Sequence, residues 1–380
     1  MHIAFHTPLN LFDDGGVSGD RRMARQLATA LESLGHSVEP VQAGRGYLRS
    51  ADPETLSHHQ QEAARLSDAL LAAYRVGQRQ RPDLWFTYHH YYRAPDLLGP
   101  GMAAALGIPY VTAEASDAGK RAAGEWAAHT AIVRDGLAAG DVHFYFTDRD
   151  RVGLEPWRNA GTALLQLPPF VTFDAPPPPR LGRAGPPHLI TIAMMREGAK
   201  LKSYLALARS LARIRHEDWR LTIIGDGSQR GEVEAAFASL PPERIDWLGQ
   251  VEREQALEQL AYHDVFVWPG VREAYGMVYL EAQAVGLPVV AFDSGGISAI
   301  VRNGETALLS PDNDEAAFVE ALATLLRDPP RRERMGEAAR RFVLNERSTA
   351  SAAARLAEGL AIACRHRSDK LKAADGRVAS

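Results

Sequence analysis

Two acids, Glu273 and Glu281, stand seven residues apart in the stretch Arg272 to Gly296, REAYGMVYLEAQAVGLPVVAFDSGG. Between them Tyr275-Gly276-Met277-Val278 opens a predicted helix, with Val278, Leu280, Ala282 and Ala284 as residues to bury it. Gly286 is a helix stop, Pro288 follows it, and Val289-Val290-Ala291-Phe292 is an apolar run suited to a buried parallel strand. The start of such a helix offers unpaired N–H groups and a partial positive charge, so its natural guest is an anion such as phosphate. Gly276 lets that guest approach the backbone. The acids are then free to hold hydroxyls. If the residues between them are mostly helical, they lie roughly 12 Å apart along the axis. A carboxylate pair that cleaves a glycosidic bond sits closer, at about 5–9.5 Å. The spacing therefore points to two grips on one long ligand.

Glu273, seven residues, Glu281, then Gly286-Leu287-Pro288-Val289-Val290-Ala291 and Gly295-Gly296 closely resembles the donor site of retaining GT-B glycosyltransferases of family four (glycosyl transferases group 1). The resemblance implies that Glu273 faces the sugar hydroxyls and Glu281 the ribose of a nucleotide-sugar donor. It implies that the N–H groups of Gly276, Met277 and Val278 brace phosphates and sugar. Relatives carry an arginine and a lysine that reach the donor diphosphate. Arg196 fits the first, and the apolar register of Leu205 and Ala208 favours Lys200 for the second, with Lys202 as the other choice. Fixed cations stabilise a departing diphosphate, so no metal and no cofactor is expected. Gly249 and Val251 fall where the family seats the nucleotide base. Gly19, in Ser18-Gly19, falls where it has a paired-glycine loop against the diphosphate.

The elements that must position these residues read as α/β. A strand over 2–6, a glycine-containing loop over 10–20, a helix over 21–34 and a strand over 37–41 form the first unit of a doubly wound fold. His89 and His90 follow the predicted strand 83–88 at its carboxyl end, where open sheets take ligands, which places them on the acceptor side. Glu114 closes the predicted strand 109–113, where many relatives have a histidine near the reacting carbon. It either positions an acceptor or sugar hydroxyl or caps the following turn. The resemblance implies a GT-B fold: two Rossmann-like doubly wound domains facing across a cleft. The N-terminal, acceptor-side domain spans 1–174, with 346–380 crossing back onto it. A proline-rich linker, DAPPPPRLGRAGPP from Asp174, joins it over 175–187 to a donor domain over 188–345. The last helix is expected over 351–364 and a frayed polar tail over 365–380.

A length of 380 residues suits two domains, and 46% hydrophobic with 24% charged residues argues against disorder. A net charge of −4 gives no case for a nucleic-acid partner. The single cysteine, Cys364, excludes an internal disulfide. No charged leader precedes the first strand and no apolar run spans a bilayer, so the expected location is cytoplasmic, with at most peripheral membrane contact. The implied reaction is retaining transfer of a sugar from a nucleotide-sugar to a hydroxyl acceptor, a glycan, lipid or small molecule. Two other readings share the architecture: a sugar-nucleotide epimerase, and a non-catalytic sugar-nucleotide-binding subunit.

Overall fold

Short runs such as His2–His6, Leu84–Tyr88 and Val289–Phe292 are buried along their whole length, as strands covered on both faces must be. In the computed structural model, which describes residues 1–12, 19–182 and 185–378, these strands build two units. Unit 1 comprises Met1–Pro168 with Thr349–Ser380, and unit 2 comprises Pro169–Ser348.

In unit 1 the elements run β1 (His2–His6), α1 (Gly19–Ser33), β2 (Ser37–Pro40), α2 (Pro53–Arg75), β3 (Leu84–Tyr88), α3 (Gly99–Leu106), β4 (Tyr110–Ala113), α4 (Ala127–Ala139), β5 (Val142–Tyr145), α5 (Asp148–Leu154) and β6 (Ala163–Gln166). The strands pair in parallel in the order β2-β1-β3-β4-β5-β6, so the winding reverses between β1 and β3. In unit 2 they run β7 (His188–Ile192), α6 (Ala199–Arg213), β8 (Arg220–Ile224), α7 (Arg230–Phe237), β9 (Ile245–Gly249), α8 (Arg253–Ala261), β10 (Val265–Val267), α9 (Met277–Val285), β11 (Val289–Asp293), β12 (Ala307–Pro311), α10 (Glu315–Arg327) and α11 (Pro329–Glu346). This sheet is also parallel, in the order β12-β11-β10-β7-β8-β9, and reverses between β7 and β10. In sheets of this kind the ligand crevice lies outside the carboxyl ends of the strands at the reversal.

Two boundary expectations are corrected. The proline-rich stretch expected as a joint over 175–187 belongs to unit 2 and is fastened to it. The carbonyls of Pro177 and Pro178 accept from Arg340, and Arg180 pairs with Asp264 at 2.6 Å. Unpaired proline carbonyls invite such guanidinium donors, which composition alone does not reveal. The tail expected to fray continues the final helix instead: α12 runs Thr349–Val378. Its His366 and Lys370 both reach the buried Asp141, at 3.0 and 2.9 Å, and Arg367 donates to the Ala103 carbonyl. A polar face that looked solvated is thus partnered within unit 1.

Unit 1 also buries a charge. Asp96 accepts from His6 Nδ1 (3.0 Å), Thr87 Oγ1 (2.5 Å), Tyr110 OH (2.9 Å) and the amides of Leu98 and Gly99. Burial pushes its pKa up. The facing His6 imidazole, then His90 and the Gly99 amide, outweigh that and hold the carboxyl well below its usual range. A depressed carboxyl contributes stability above its unfolded pKa, and that contribution is lost as pH falls. Asp96→Asn should therefore cost about 3–5 kcal/mol at neutral pH in urea denaturation. The deficit should shrink as pH drops below about 4, where wild type begins to lose the same contribution. A cost under about 1 kcal/mol at neutral pH would contradict this account.

Candidate functional site

The reversal of the unit 2 sheet brings together the loop from β7 to α6 and the loop from β10 to α9. The second loop, over 268–276, is tightly specified. Gly276 caps α9 in a left-handed conformation, with φ of 74°. A Cβ there would lie 2.7 Å from the Tyr279 ring and 3.0 Å from Glu273 Cγ. Two buried serines then hold consecutive backbone amides. Val271 N–H donates to Ser203 Oγ at 2.9 Å, and Ser203 Oγ donates to the Ala199 carbonyl one turn back in α6. Arg272 N–H donates to Ser294 Oγ at 2.9 Å. The carbonyl of Glu273 accepts from Gly296 N–H at 3.0 Å. Gly295 lies so close that a Cβ would sit 1.8 Å from that carbonyl.

The result is a fixed carboxylate. Glu273 Oε2 meets Lys200 Nζ at 2.5 Å, and the ammonium lies 5.8 Å from the Trp268 ring centroid. The Tyr279 hydroxyl beneath donates to the Trp268 carbonyl at 3.0 Å. Its pKa is pushed well up, first by burial and then by the charge of Glu273. Among the described residues the N–H groups of Gly276, Met277 and Val278 are the unsatisfied donors of the α9 N-terminus. Helix begins at Met277, within the Tyr275-Gly276-Met277-Val278 opening expected from sequence, so Glu273 lies on the preceding loop and Glu281 in the second turn.

Glu281 is buried, and its Oε1 accepts from Arg253 Nε at 2.9 Å. Arg253 also donates through Nη2 to the Thr172 carbonyl at 2.6 Å and lies over the Phe173 ring at 5.4 Å. Sequence reading missed this arginine. Its one signal was its place as the first residue of α8, directly after Gly249-Gln250-Val251-Glu252. Gly249 ends β9 in a left-handed conformation and its carbonyl accepts from Gly225 N–H, while Val251 is half-buried on the loop to α8. Lys200, rather than Lys202, reaches Glu273; Lys202 is exposed, as is Arg196 within the loop from β7 to α6.

Residues 181–342, which contain Lys200, Arg253, Glu273 and Glu281, match the family Glycosyl transferases group 1. That stretch carries a domain of this family. This glycosyltransferase is 26% identical to the D-inositol 3-phosphate glycosyltransferase of Pseudarthrobacter chlorophenolicus, with 89% of each chain covered. Its fold matches the sucrose-phosphate synthase of Thermosynechococcus elongatus over 94% of its own length and 97% of that chain, with a TM-score of 0.68 at 18% identity. It also matches HepE of Anabaena in complex with UDP over 95% of its length and all of that chain (100%), with a TM-score of 0.67 at 14% identity. The two-sheet α/β architecture is thus that of the GT-B glycosyltransferases. Among the described residues no helix is long and apolar enough to cross a membrane, and no cluster of His, Cys, Asp and Glu has the makeup of a metal site.

In unit 1 of the glycosyltransferase the candidates divide. His89 and Glu114 close β3 and β4 side by side. Both hold positive φ, 66° and 53°, which is uncommon outside glycine. His89 Nδ1 lies 3.6 Å from Asp20 and 4.0 Å from Glu114. Burial lowers the His89 pKa, against the opposing charges of Asp20 and Asp150. His90, expected on the acceptor side, is corrected to a structural role. It is fully buried, accepts from the Asp96 amide at 2.7 Å and donates to the Val133 carbonyl at 3.1 Å. A neutral ring with both nitrogens engaged has no capacity left for a ligand. Gly19 is the first residue of α1, and among the described residues nothing lies within 4 Å of where its Cβ would stand; its expected partner Ser18 lies outside the described residues.

Ser203→Ala removes the acceptor for Val271 N–H and loosens the loop that aims Glu273. Turnover should fall about tenfold, while nucleotide affinity by calorimetry changes less than about twofold. Unchanged turnover would show that the loop needs no such tie.

Proposed function

We propose that the chain transfers a sugar from a nucleoside-diphosphate donor to a hydroxyl acceptor with retention at the anomeric carbon and without a metal ion. The observation that carries this reading is the Lys200–Glu273 contact at the mouth of α9, on the reversal of the unit 2 sheet. An ammonium, a carboxylate and unsatisfied helix N–H groups within one small region suit a ligand that is anionic at one end and hydroxylated at the other. In this reading Lys200 and the exposed Arg196 take the diphosphate, together with the N–H groups of Gly276, Met277 and Val278. Glu273 holds sugar hydroxyls. Glu281, steadied by Arg253, takes the ribose, and the segment from Gly249 to Val251 lies against the base. Gly19, His89 and Glu114 serve the acceptor side of unit 1.

The chemistry balances without a protein nucleophile. The bond from the anomeric carbon to the diphosphate oxygen breaks, and the acceptor oxygen bonds to that carbon on the same face. The acceptor proton passes to the departing phosphate oxygen. Charge grows on the diphosphate as it leaves, and the cations Lys200 and Arg196 stabilise it in the role that a metal ion fills in other enzymes.

Glu273→Gln and Lys200→Ala should each lower transfer about 10²-fold or more with the fold intact by circular dichroism. Glu281→Ala should chiefly raise the Kd for the nucleotide. Activity should survive a chelator. A strict need for manganese, or full turnover in Lys200→Ala, would overturn the proposed arrangement.

A further inference from the structure

The chain passes between the two units twice, from Pro168 to Pro169 and from Ser348 to Thr349. On the unit 2 side these two crossings are laced together. Val171 N–H donates to the Arg347 carbonyl at 2.9 Å, and Val171 pairs with Ser348 in a short parallel bridge. Phe170 and Val171 are buried, so the first crossing is packed as well as bonded. The Arg347 side chain reaches back into unit 2, where it donates to the Ala299 carbonyl at 3.2 Å and lies over the Phe342 ring at 4.6 Å.

The next residue along the first crossing leads to the ligand site. The Thr172 carbonyl accepts from Arg253 Nη2 at 2.6 Å, while Nε of the same guanidinium donates to Glu281 at 2.9 Å. Nε and Nη2 form one edge of the planar fork, an edge suited to both oxygens of a single carboxylate. Here that edge is divided between an acid on α9 and a backbone carbonyl at the crossing. The plane is rigid, so the two acceptors are held in register. Phe173 adds its ring at 5.4 Å from the guanidinium. A lysine could reach one acceptor but would not fix the distance between two.

We propose that Arg253 is a positioning residue that transmits occupancy of the nucleotide site to the two crossings. The proposal rests on the reading of Glu281 as the ribose ligand. A nucleotide engaged by Glu281 restrains that carboxylate, the fork passes the restraint to Thr172, and the Val171 bond passes it on to Arg347. Ordering at a site spreads through groups bonded in series with it, and this series is continuous from Glu281 to Arg347. Both covalent links between the units then stiffen when donor is bound and relax when it has gone.

Hydrogen exchange of the full chain, read by mass spectrometry with and without saturating nucleotide, tests this. UDP, GDP and ADP are first ranked by calorimetry, and the tightest is used. In wild type, nucleotide should slow exchange over 170–174 at least about fivefold. Arg253→Lys keeps a positive charge near Glu281 but cannot hold both acceptors. With nucleotide saturating, its slowing over 170–174 should fall below about twofold, while α9 still responds. Phe173→Ala leaves the contact between Arg253 and Glu281 in place. It should bind nucleotide within about twofold of wild type and lose at least about half of the slowing, which decides the matter if Arg253→Lys binds none. A purely structural Arg253 would raise exchange equally in both states and leave the response to nucleotide intact. That result in both variants, or nucleotide bound to wild type without slowing, would overturn the proposal alone. Failure of all three nucleotides to bind wild type would overturn the donor reading and the proposal with it.

Discussion

A carboxylate must be held beside the start of a helix without blocking it. Glu273 meets this constraint because its own backbone is fixed from both sides. Ser203 and Ser294 hold the two amides before it, Gly296 holds its carbonyl, and Gly295 leaves room for that contact. Only a loop so fastened can keep Arg272 and Gly276 at positive φ and still aim a side chain. The Lys200 contact is then a consequence. Ser203 and Lys200 lie one turn apart in α6, so the residue that ties the loop also registers the cation against the acid.

This arrangement draws on distant parts of the chain, which is why a parallel sheet is needed to bring it about. Lys200 and Ser203 follow β7, Glu273 follows β10, and Ser294 to Gly296 follow β11. These strands are neighbours in the order β11-β10-β7, so their carboxyl ends converge with no long loop to close. Packing beneath the loop reinforces it. Tyr279 and Trp268 are fully buried, and the tyrosine hydroxyl is spent on the Trp268 carbonyl rather than left toward the site. Rigid support below and open amides above is the combination that an anion site requires.

Much of this was legible before any coordinates, for reasons specific to the residues. Glycine at 276, 286, 295 and 296, proline at 288 and an apolar run over 289–292 each have strong local meaning, and together they delimit one loop, one helix and one strand. The choice of Lys200 over Lys202 was also available, because helical register decides which of two lysines two residues apart faces a neighbour. What could not be read depended on contacts distant in sequence. Arg253 and Glu281 are separated by 28 positions, and the Asp96 centre joins residues from 6 to 110. His90 was misread for the same reason. Its position after a strand end suggested a ligand, but its two ring nitrogens are claimed by Asp96 and Val133. The extent of α12 was hidden because its polar residues look solvated until Asp141 is placed beside them.

Three acids show how burial and satisfaction together separate structural from ligand-binding charge. The Asp96 side chain has 0% exposure and is surrounded by donors, so it can accept nothing further and serves the fold. Glu281, at 11%, accepts from Arg253 through Oε1, which keeps a buried charge tolerable. Glu273, at 16%, meets a lysine that is itself 28% exposed, a geometry in which an ion pair adds little to stability. A loop fastened at successive backbone groups is far more order than so weak a pair needs for its own sake. The order is explained if the acid and the cation are held ready for a third group. The same reasoning separates the arginines of unit 1: Arg134 is satisfied by Asp117, whereas among the described residues the buried Nε of Arg93 has no acceptor. Where a fold builds a charged site and leaves it incomplete, what completes it comes from outside the chain.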